Sequence, residues 1–226
     1  MRCTSNEIVQ FFIKGYYAFK NCNITELNHS CLSIREGLVI KNTAVLYRTN
    51  QATEIIIPDG VTSIGDSAFE YCSSLESVTI PDSVTSIGGW AFFDCSSLES
   101  VTIPDGITAI GELAFAGCSS LESVTIPDSV TSIGGWAFAG CSSLESVTIP
   151  DSVTSIGKWA FMDCESLASV VIPGSVTEIG DFAFYGCTSL AEIHYAGTKA
   201  QWEAVKKIKY WNEDVPAKDV LFRKEE

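Results

Sequence analysis

Basic residues are scarce in this sequence. Its 226 residues include 28 Asp and Glu but only 14 Lys and Arg, which gives a net charge of −14. Between residues 58 and 195 there are 18 acidic residues and a single Lys or Arg, Lys158. Because proteins that bind nucleic acids need clustered cations opposite the phosphates, this distribution argues against DNA or RNA as a partner.

Long apolar runs are also absent. No stretch approaches the ~20 residues that a membrane-spanning helix requires, and the first apolar stretch, Ile8–Ile13, is short and follows Glu7. We therefore expect no membrane span, and we recognise no signal peptide after Met1.

The residues and motifs of common enzymes are lacking as well. The two histidines, His29 and His194, are far apart in the chain, and there is no G-x-S-x-G, P-loop, G-x-G-x-x-G or C-x-x-C motif. We predict no enzymatic activity and no cofactor, with His194 an outward strand residue rather than a catalytic base.

A fixed period of 23 residues is the main feature that the sequence does have. Six of the nine cysteines recur at this interval, and so do a proline and a phenylalanine. Such a period is typical of a solenoid, in which each unit buries its apolar face only against its neighbours. The cysteines are Cys72, Cys95, Cys118, Cys141, Cys164 and Cys187.

One unit, Pro81–Ile103, indicates a coil with three sides. The segment before it, Leu75–Ile80, has aliphatic residues at its first, fourth and sixth positions, which predicts a short strand with an inward aliphatic row. Pro81–Ser83 predicts a turn, and Val84–Gly88 a second side of the coil. Trp90–Cys95 predicts a short helical turn whose Ala, Phe and Cys close the core.

These units resemble the leucine-rich repeats of the BspA-like family, which read L-x-x-V-x-I-P-x-x-V-x-x-I-G-x-x-A-F-x-x-C, and all six copies from Ile57 to Cys187 fit. The resemblance implies an α/β fold, a right-handed leucine-rich-repeat solenoid with a concave parallel β-sheet, short helical turns and a helical C-terminal cap. It also implies a non-catalytic, adhesin-like module of bacterial surface proteins that binds host or matrix proteins.

We divide the chain into three parts of one continuous solenoid domain. Residues 1–57 form a degenerate N-terminal repeat, with the motif G-x-x-A-F-x-x-C at Gly15–Cys22 and a β-hairpin insertion formed by Leu38–Ile40 and Ala44–Tyr47. Residues 58–195 form the six 23-residue repeats.

Residues 196–226 form the C-terminal cap. A capping box at Thr198–Gln201 predicts the start of a helix, along which Trp202, Val205 and Ile208 form an apolar stripe. This stripe is expected to cover the last coil, and Val220–Phe222 could add a final strand.

The cysteine column allows three interpretations: a metal site, disulfides between neighbours, or buried thiols. Parallel side chains ~4.8 Å apart exceed the ~3.8 Å Cβ separation of a disulfide, and each Cys shares a face with Ala and Phe. We predict that all six are free, buried thiols that pack as small apolar side chains, and we predict no metal.

Two acidic columns run along the coils. Like charges ~4.8 Å apart repel by about 1 kcal/mol in water, a cost that calcium or a basic partner would relieve. The sequence favours the alternative, a solvated and screened face, and leaves the glutamate column as a candidate site for basic ligands. The glutamate column is Glu76, Glu99, Glu122 and Glu145, and the aspartate column is Asp59, Asp82, Asp105, Asp128 and Asp151.

A second candidate surface lies beside the Ala-Phe pairs. The residue before each pair and the residue three positions further on are often aromatic. Because Ala, Phe and Cys take the inward face, these side chains either form an exposed stripe that contacts a partner or shield one another between coils. We call this set the aromatic flank and predict protein contact or self-association there: Trp90, Phe93, Trp136, Trp159, Met162, Phe182 and Tyr185.

Three functions fit these features. The resemblance favours an adhesin-like protein-binding module at the cell surface or secreted. An intracellular interaction scaffold is the alternative, because free cysteines suit the reducing cytoplasm. A third hypothesis is a carbohydrate-binding surface in which the Trp rings stack on sugars.

Overall fold

The computed structural model describes residues 32–35, 38–41, 44–48, 53–208, 210–217 and 219–222. The degenerate unit predicted at Gly15–Cys22 lies outside these residues. We number the coils from the proline that opens each of them. The coils are coil 1 (Pro58–Ile80), coil 2 (Pro81–Ile103), coil 3 (Pro104–Ile126), coil 4 (Pro127–Ile149), coil 5 (Pro150–Ile172) and coil 6 (Pro173–Tyr195), and residues 196–222 are coil 7.

Nearly all of the regular secondary structure of the described residues is short β-strand. In chain order the strands are β1 (Leu32–Arg35), β2 (Leu38–Lys41), β3 (Ala44–Arg48), β4 (Glu54–Ile56), β5 (Ser63–Ile64), β6 (Ser77–Thr79), β7 (Ser86–Ile87), β8 (Ser100–Thr102), β9 (Ala109–Ile110), β10 (Ser123–Thr125), β11 (Ser132–Ile133), β12 (Ser146–Thr148), β13 (Ser155–Ile156), β14 (Ser169–Ile172), β15 (Glu178–Ile179), β16 (Glu192–Tyr195), β17 (Lys206–Lys207) and β18 (Val220–Phe222). The single helix of the described residues is α1 (Lys199–Ala204).

The longest sheet has eight parallel strands, in the order β4-β6-β8-β10-β12-β14-β16-β18. Each strand from β4 to β14 pairs with the residues 23 positions further on, so that Val124 lies opposite Val147. From β6 to β14 a central valine is buried and its two neighbours face outward. Alternation of this kind is expected where one face of a sheet covers the core.

A second side of the solenoid is formed by two five-stranded sheets, β1-β2-β3-β5-β7 and β9-β11-β13-β15-β17. The strands β2 and β3 are antiparallel, and β3 pairs in parallel with β5. The strands β7 and β9 belong to different sheets. The ladder on this side is therefore interrupted between coils 2 and 3.

The third side consists of consecutive hydrogen-bonded turns, and the short helical turns expected there are absent from the described coils. In coil 2 the Phe93 and Cys95 N–H groups donate to the carbonyls of Trp90 and Phe92, three residues back. Trp90 has a φ of 60°, which is left-handed and cannot continue a right-handed helix. The α/β prediction is thus corrected to strands and turns, because this side bonds to the next coil rather than along a helix axis.

The core follows the periodic pattern closely. Leu75, Val78 and Ile80 and their counterparts in coils 2 to 5 are buried, as predicted. The six phenylalanines from Phe69 to Phe184 stack with centroid separations of 5.0–5.5 Å and interplanar angles of 3–11°. Coils 1 to 5 therefore contribute nearly the same aliphatic and aromatic layer, and coil 6 differs from it by Ile193 and Tyr195.

The predicted helical cap is only partly helical. The capping box is present, with the Gln201 N–H donating to Thr198 Oγ1 and the Thr198 N–H donating to Gln201 Oε1. The helix ends at Ala204, and Val205 is extended. The expected stripe is thus divided, with Trp202 on the helix and Ile208 after a strand.

Residues 196–222 form a divergent seventh coil. Their strands β17 and β18 pair with β15 and β16, 27 or 28 residues along the chain rather than 23. The Phe184 N–H donates to the Trp211 carbonyl, in the place that an alanine carbonyl takes in coils 1 to 5. Covering the last coil by continuing its ladders satisfies more backbone groups than a helix alone would.

Candidate functional site

The prediction of buried thiols is confirmed: all six repeat cysteines are buried, and Cys95, Cys118, Cys141, Cys164 and Cys187 form no disulfide. In coils 2 to 6 each sulfur lies 3.1–3.2 Å from a phenylalanine carbonyl of the preceding coil, and the Cys141 thiol donates to Phe115 in this way. Burial raises the pKa of Cys141 to about 12 and also raises that of Cys164. These thiols therefore stay protonated and unreactive in the folded protein.

The glutamate column is exposed over its whole length. Each of its residues directly precedes a strand of the eight-stranded sheet, and the backbone continues the ladder, with the Glu99 N–H donating to the Glu76 carbonyl at 3.1 Å. The aspartate column is exposed as well. Within residues 53–208, 210–217 and 219–222, no three His, Cys, Asp or Glu side chains lie close enough together to hold a metal ion.

The outer face of the eight-stranded sheet is lined mainly by hydroxyl groups. Its central strands each present one Ser and one Thr, as in Ser100 and Thr102. His194 continues the threonine column in coil 6, where its Nε2 lies 2.9 Å from Glu192 Oε2.

The aromatic flank is divided into two parts by Leu113 of coil 3. The C-terminal part is a ladder of rings that shield one another. The pair Trp136–Trp159 has a centroid separation of 4.3 Å, Trp159–Phe182 5.9 Å and Phe182–Tyr210 5.3 Å, all stacked. Trp136, Trp159 and Phe182 are half-buried as a result.

Other side chains pack against the two inner rings of this ladder. Lys158 Nζ lies 5.7 Å from the Trp159 ring and 3.6 Å from Asp181 Oδ2. Tyr185 packs edge-on against Phe182 at 5.5 Å, and the nearby Asp214 carboxylate raises the pKa of this tyrosine.

The N-terminal part of the flank is more open. The Trp90 ring lies 4.8 Å from Phe93, and the Phe93 ring lies 5.4 Å edge-on from Tyr71. Trp90 is 40% exposed and Tyr71 49% exposed. We call Tyr71, Trp90 and Phe93 the N-terminal aromatic cluster.

Two members of these groups, Tyr71 and Tyr210, were missed by the sequence analysis. Tyr71 occupies a repeat position that is otherwise Asp or Gly, as in Asp94 and Gly117. This departure from the repeat was the available signal. Tyr210 has the left-handed φ of the flank residues, 66°, but the longer spacing of coil 7 conceals its place in the column.

Within the described part of the chain, no helix has the length and apolar character needed to cross a bilayer.

Comparisons with known proteins agree on the family. The family model for the BspA type leucine-rich-repeat region matches six copies, over residues 39–165 and 111–205. No curated protein matches the chain significantly.

Several solved structures are similar. A leucine-rich cell surface protein from Faecalibacterium prausnitzii is 32% identical with a TM-score of 0.63, and the match covers 85% of this chain and 46% of that one. The T. pallidum leucine-rich-repeat protein is 33% identical with a TM-score of 0.65, covering 75% of this chain and 81% of that one. The pneumococcal vaccine antigen PcpA, 19% identical with a TM-score of 0.68 over 91% of this chain and 51% of that one, shares the fold.

This chain thus spans just under half of the F. prausnitzii protein. Its six repeats, its stacked coils and the family model lead to one assignment: the chain belongs to the BspA-type leucine-rich-repeat family.

Proposed function

We propose that this chain is a non-catalytic, adhesin-like protein-binding module of a bacterial surface protein, and that it contacts its partner through the aromatic flank. The observation that carries the proposal is where the units differ. Core and turn positions are nearly the same in each unit, whereas the flank position is Ser67, Trp90, Leu113, Trp136, Trp159 and Phe182 in turn. Selective recognition needs positions that differ along the surface, and aromatic residues dominate binding energies at protein interfaces.

The glutamate column supports a second, less selective contribution. Four exposed carboxylates at the start of consecutive strands create a uniform negative potential beside the sheet. Such a potential speeds the approach of a basic partner and weakens with added salt. We therefore assign selectivity to the aromatic flank and salt-sensitive attraction to the glutamate column.

The proposed location follows from the relatives. The F. prausnitzii protein, 32% identical, is described as a cell surface protein. An intracellular scaffold remains the alternative. The cysteines were the observation in favour of that alternative. Because these thiols are buried, they are protected from oxidants at the cell surface as well as in the cytoplasm, and they favour neither location.

Carbohydrate binding is favoured by one observation, the exposure of the Trp90 ring. A flat indole face can stack on a sugar as well as on a protein side chain. The other two flank tryptophans, Trp136 and Trp159, already stack on each other, which leaves less ring surface for a sugar.

The test uses purified protein on immobilised fibronectin, fibrinogen, laminin and collagen, with a glycan array in parallel. Two variants are compared with the wild type: Trp90, Trp136 and Trp159 changed to Ser, and the four residues of the glutamate column changed to Gln. Ser is native at this flank position in coil 1, as Ser67, so folding should be retained, and circular dichroism checks it.

Saturable binding to a matrix protein that is lost in the Ser variant and only more salt-resistant in the Gln variant supports the proposal. Loss in the Gln variant alone moves the site to the glutamate column. Binding on the glycan array without any protein ligand establishes the carbohydrate function instead. Protection of the protein from added protease on intact cells would contradict the surface location.

A further inference from the structure

The side of the solenoid that the two five-stranded sheets form, which we call the second side, is held by the same hydrogen bonds at most junctions. Between coils 3 and 4, the Thr131 N–H and the Thr131 hydroxyl group both donate to the Thr108 carbonyl, at 2.9 and 3.2 Å. The Gly134 N–H donates to the Ile110 carbonyl at 2.9 Å. The equivalent three bonds occur between coils 1 and 2, coils 4 and 5, and coils 5 and 6.

None of these bonds is present between coils 2 and 3, which lie wholly within the described residues. The N–H groups of Thr108 and Gly111 and the Thr108 hydroxyl group donate no hydrogen bond to coil 2. A Cβ added to Gly111 would stay 3.4 Å from the nearest atoms of coil 2, whereas a Cβ added to Gly134 would lie 2.8 Å from a carbonyl oxygen of coil 3. Coils 2 and 3 are therefore in contact on the second side without being hydrogen-bonded there.

Coil 3 also differs in sequence from its neighbours on this side. Gly106, Ile107 and Ala109 stand where coils 2, 4 and 5 have Ser, Val and Ser. Glycine lacks the hydroxyl group that Ser129 uses to bond the preceding coil at 2.6 Å, and isoleucine is larger than the valine whose place it takes. The three differences coincide with the missing hydrogen bonds.

The other two sides of the same junction are intact. Val101 and Val124 pair in the eight-stranded sheet. On the side of the turns, the Phe92 N–H donates to the Ala114 carbonyl at 2.8 Å, and the Cys118 sulfur lies 3.2 Å from the Phe92 carbonyl. Two bonded sides and one unbonded side have the geometry of a hinge, because the bonded sides can flex while the width of the unbonded side changes.

We propose that the junction between coils 2 and 3 is a bending joint, at which coils 1 and 2 move as one body relative to coils 3 to 6 by opening and closing the second side. Gly106, Ile107 and Ala109 create the joint by removing the bonds that close this side at the other junctions. The joint also divides the aromatic flank, since the N-terminal aromatic cluster lies in coils 1 and 2 and the stacked ladder begins at Trp136 in coil 4. Bending therefore changes the angle between the two parts of the flank.

Distances between pairs of spin labels measure this bending. Two pairs are compared, each spanning three junctions, or about 14 Å, along the second side. The path from Thr85 to Thr154 crosses the joint, and the path from Thr108 to Thr177 does not. All four threonines are exposed and occupy the same repeat position, so the second pair is a matched control.

The labels are attached to cysteines introduced at these positions. The six repeat cysteines are buried and should stay unlabelled. The double variants are Thr85→Cys/Thr154→Cys and Thr108→Cys/Thr177→Cys, both in a background with Cys3→Ser, Cys22→Ser and Cys31→Ser. Dipolar EPR spectroscopy should give a distance distribution about twofold broader for the pair that crosses the joint than for the control pair.

A transplant of the coil 3 residues tests the cause. Ser129→Gly/Val130→Ile/Ser132→Ala gives coil 4 the second-side sequence of coil 3. This change should broaden the distribution of the Thr108 and Thr177 pair by about the same twofold factor, because a joint then lies between those two labels. Circular dichroism checks that the variant is folded.

Amide hydrogen exchange of the wild type provides a measurement that needs no substitution. Thr108 and Gly111 should exchange faster than Thr131 and Gly134, whose N–H groups are bonded to the preceding coil. Equal protection of the four amides would overturn the proposal even if a labelled variant failed to fold.

Equal widths for the two labelled pairs would overturn it as well, because coils 1 and 2 would then be held as firmly as the coils that follow. An unchanged control distribution in the folded coil 4 variant would refute the assignment of the joint to Gly106, Ile107 and Ala109.

Discussion

On the side formed by the two five-stranded sheets, the junction between coils 2 and 3 differs from the junction between coils 4 and 5. Between coils 4 and 5, β11 and β13 pair, and a Cβ added to Gly157 would lie 2.5 Å from the Gly134 carbonyl carbon. Between coils 2 and 3, β7 and β9 do not pair with each other, and a Cβ added to Gly111 would meet no atom closer than 3.4 Å. The backbones of coils 2 and 3 are thus farther apart here.

Coil 3 departs from the repeat at the same place. Ser152 Oγ donates to the Val130 carbonyl at 2.6 Å, whereas Gly106 at the equivalent position has no hydroxyl group. Ile107 adds a methylene to a column that is valine in the other coils. The other two sides of the junction remain paired, through Ser100 with Ser123 and through the Phe92 N–H to the Ala114 carbonyl.

The difference shows that the hydrogen bonds on each side of the solenoid can form without those on the other two sides. A single unit can lose its ladder on one side because the strands and turns of the other two sides still bond to both neighbours. In a solenoid, stability is close to a sum of terms between nearest neighbours.

The largest effect is expected at the end of the array. Deleting residues 196–226 removes coil 7 and exposes the apolar residues of coil 6, among them Phe184 and Ile193, which are buried now. The truncated chain should aggregate or bind a hydrophobic dye, as measured by light scattering and dye fluorescence. The control is Leu221→Ser, a change at an exposed side chain of β18, which should stay monomeric. A monomeric, cooperatively unfolding truncation would disprove the covering role of coil 7.

The second effect is the loss of stability when Gly157 or Gly111 is changed to Ala. Gly157→Ala places a methyl group against backbone atoms that cannot move without breaking the ladder, whereas Gly111→Ala finds ordinary contact distances. We expect Gly157→Ala to lower the free energy of unfolding by about 2–3 kcal/mol more than Gly111→Ala. Urea unfolding followed by circular dichroism measures both. Equal losses would mean that the two junctions are equally close.

The third effect tests whether the cysteine side of the coil 2–3 junction is intact. Cys118 and Cys141 each lie 3.2 Å from a carbonyl of the preceding coil, so we expect a thiol reagent to label both equally slowly in the native protein, as mass spectrometry can quantify. Faster labelling of Cys118 would show that the whole junction opens.

The same thiols give a pH dependence. The pKa of Cys141 is raised from 9.0 to about 12 by burial, so above pH 9 the unfolded chain loses this proton while the folded protein keeps it. The stabilisation is complete below about pH 9 and is lost as the pH rises towards 12, at about 1.4 kcal/mol per pH unit for each such thiol. Cys141→Ala should reduce the slope between pH 9 and 11 by about that amount, and an unchanged slope would contradict the assignment.

The fourth effect is expected from removing a hydrogen bond that a serine hydroxyl group donates to the preceding coil at the turn. Ser152→Ala removes the bond to the Val130 carbonyl and should cost about 1 kcal/mol. Gly106→Ser restores the missing hydroxyl at the coil 2–3 junction, where its Cβ would lie 2.9 Å from the Val84 carbonyl oxygen. Because a Cβ atom does not approach a carbonyl oxygen so closely without a shift, we expect Gly106→Ser to lower the melting temperature. A raised melting temperature would show that coils 2 and 3 can separate at this turn and accept the hydroxyl group.

The smallest effect is expected from Leu113→Trp. This change places an indole between Trp90 and Trp136 and makes the aromatic column continuous across coil 3. Stacking should raise the free energy of unfolding by about 0.5–1 kcal/mol and shift the tryptophan emission to shorter wavelength. Unchanged emission and stability would mean that the flank positions of coils 2, 3 and 4 do not align.

The sequence by itself determined the coil and its interior. A strict 23-residue period means that residues such as Val78 and Val101 must meet in register, and only an inward position suits Leu, Val, Ile and Phe repeated without exception. The burial of the cysteines follows from the same argument, because each shares a face with Ala and Phe. The start of coil 7 was also readable, from the capping box at Thr198–Gln201.

How the coils differ from one another becomes apparent only in the folded solenoid. The left-handed backbone of Trp90 depends on the bond from its N–H to the Glu112 carbonyl in the next coil, which no local preference of tryptophan would predict. The exposure of a flank ring likewise depends on its neighbour one coil away: Trp136 is covered by Trp159, whereas the coil beyond Trp90 offers Leu113. Contacts between residues 22 or more positions apart set these features, so they become visible only when the coils are stacked.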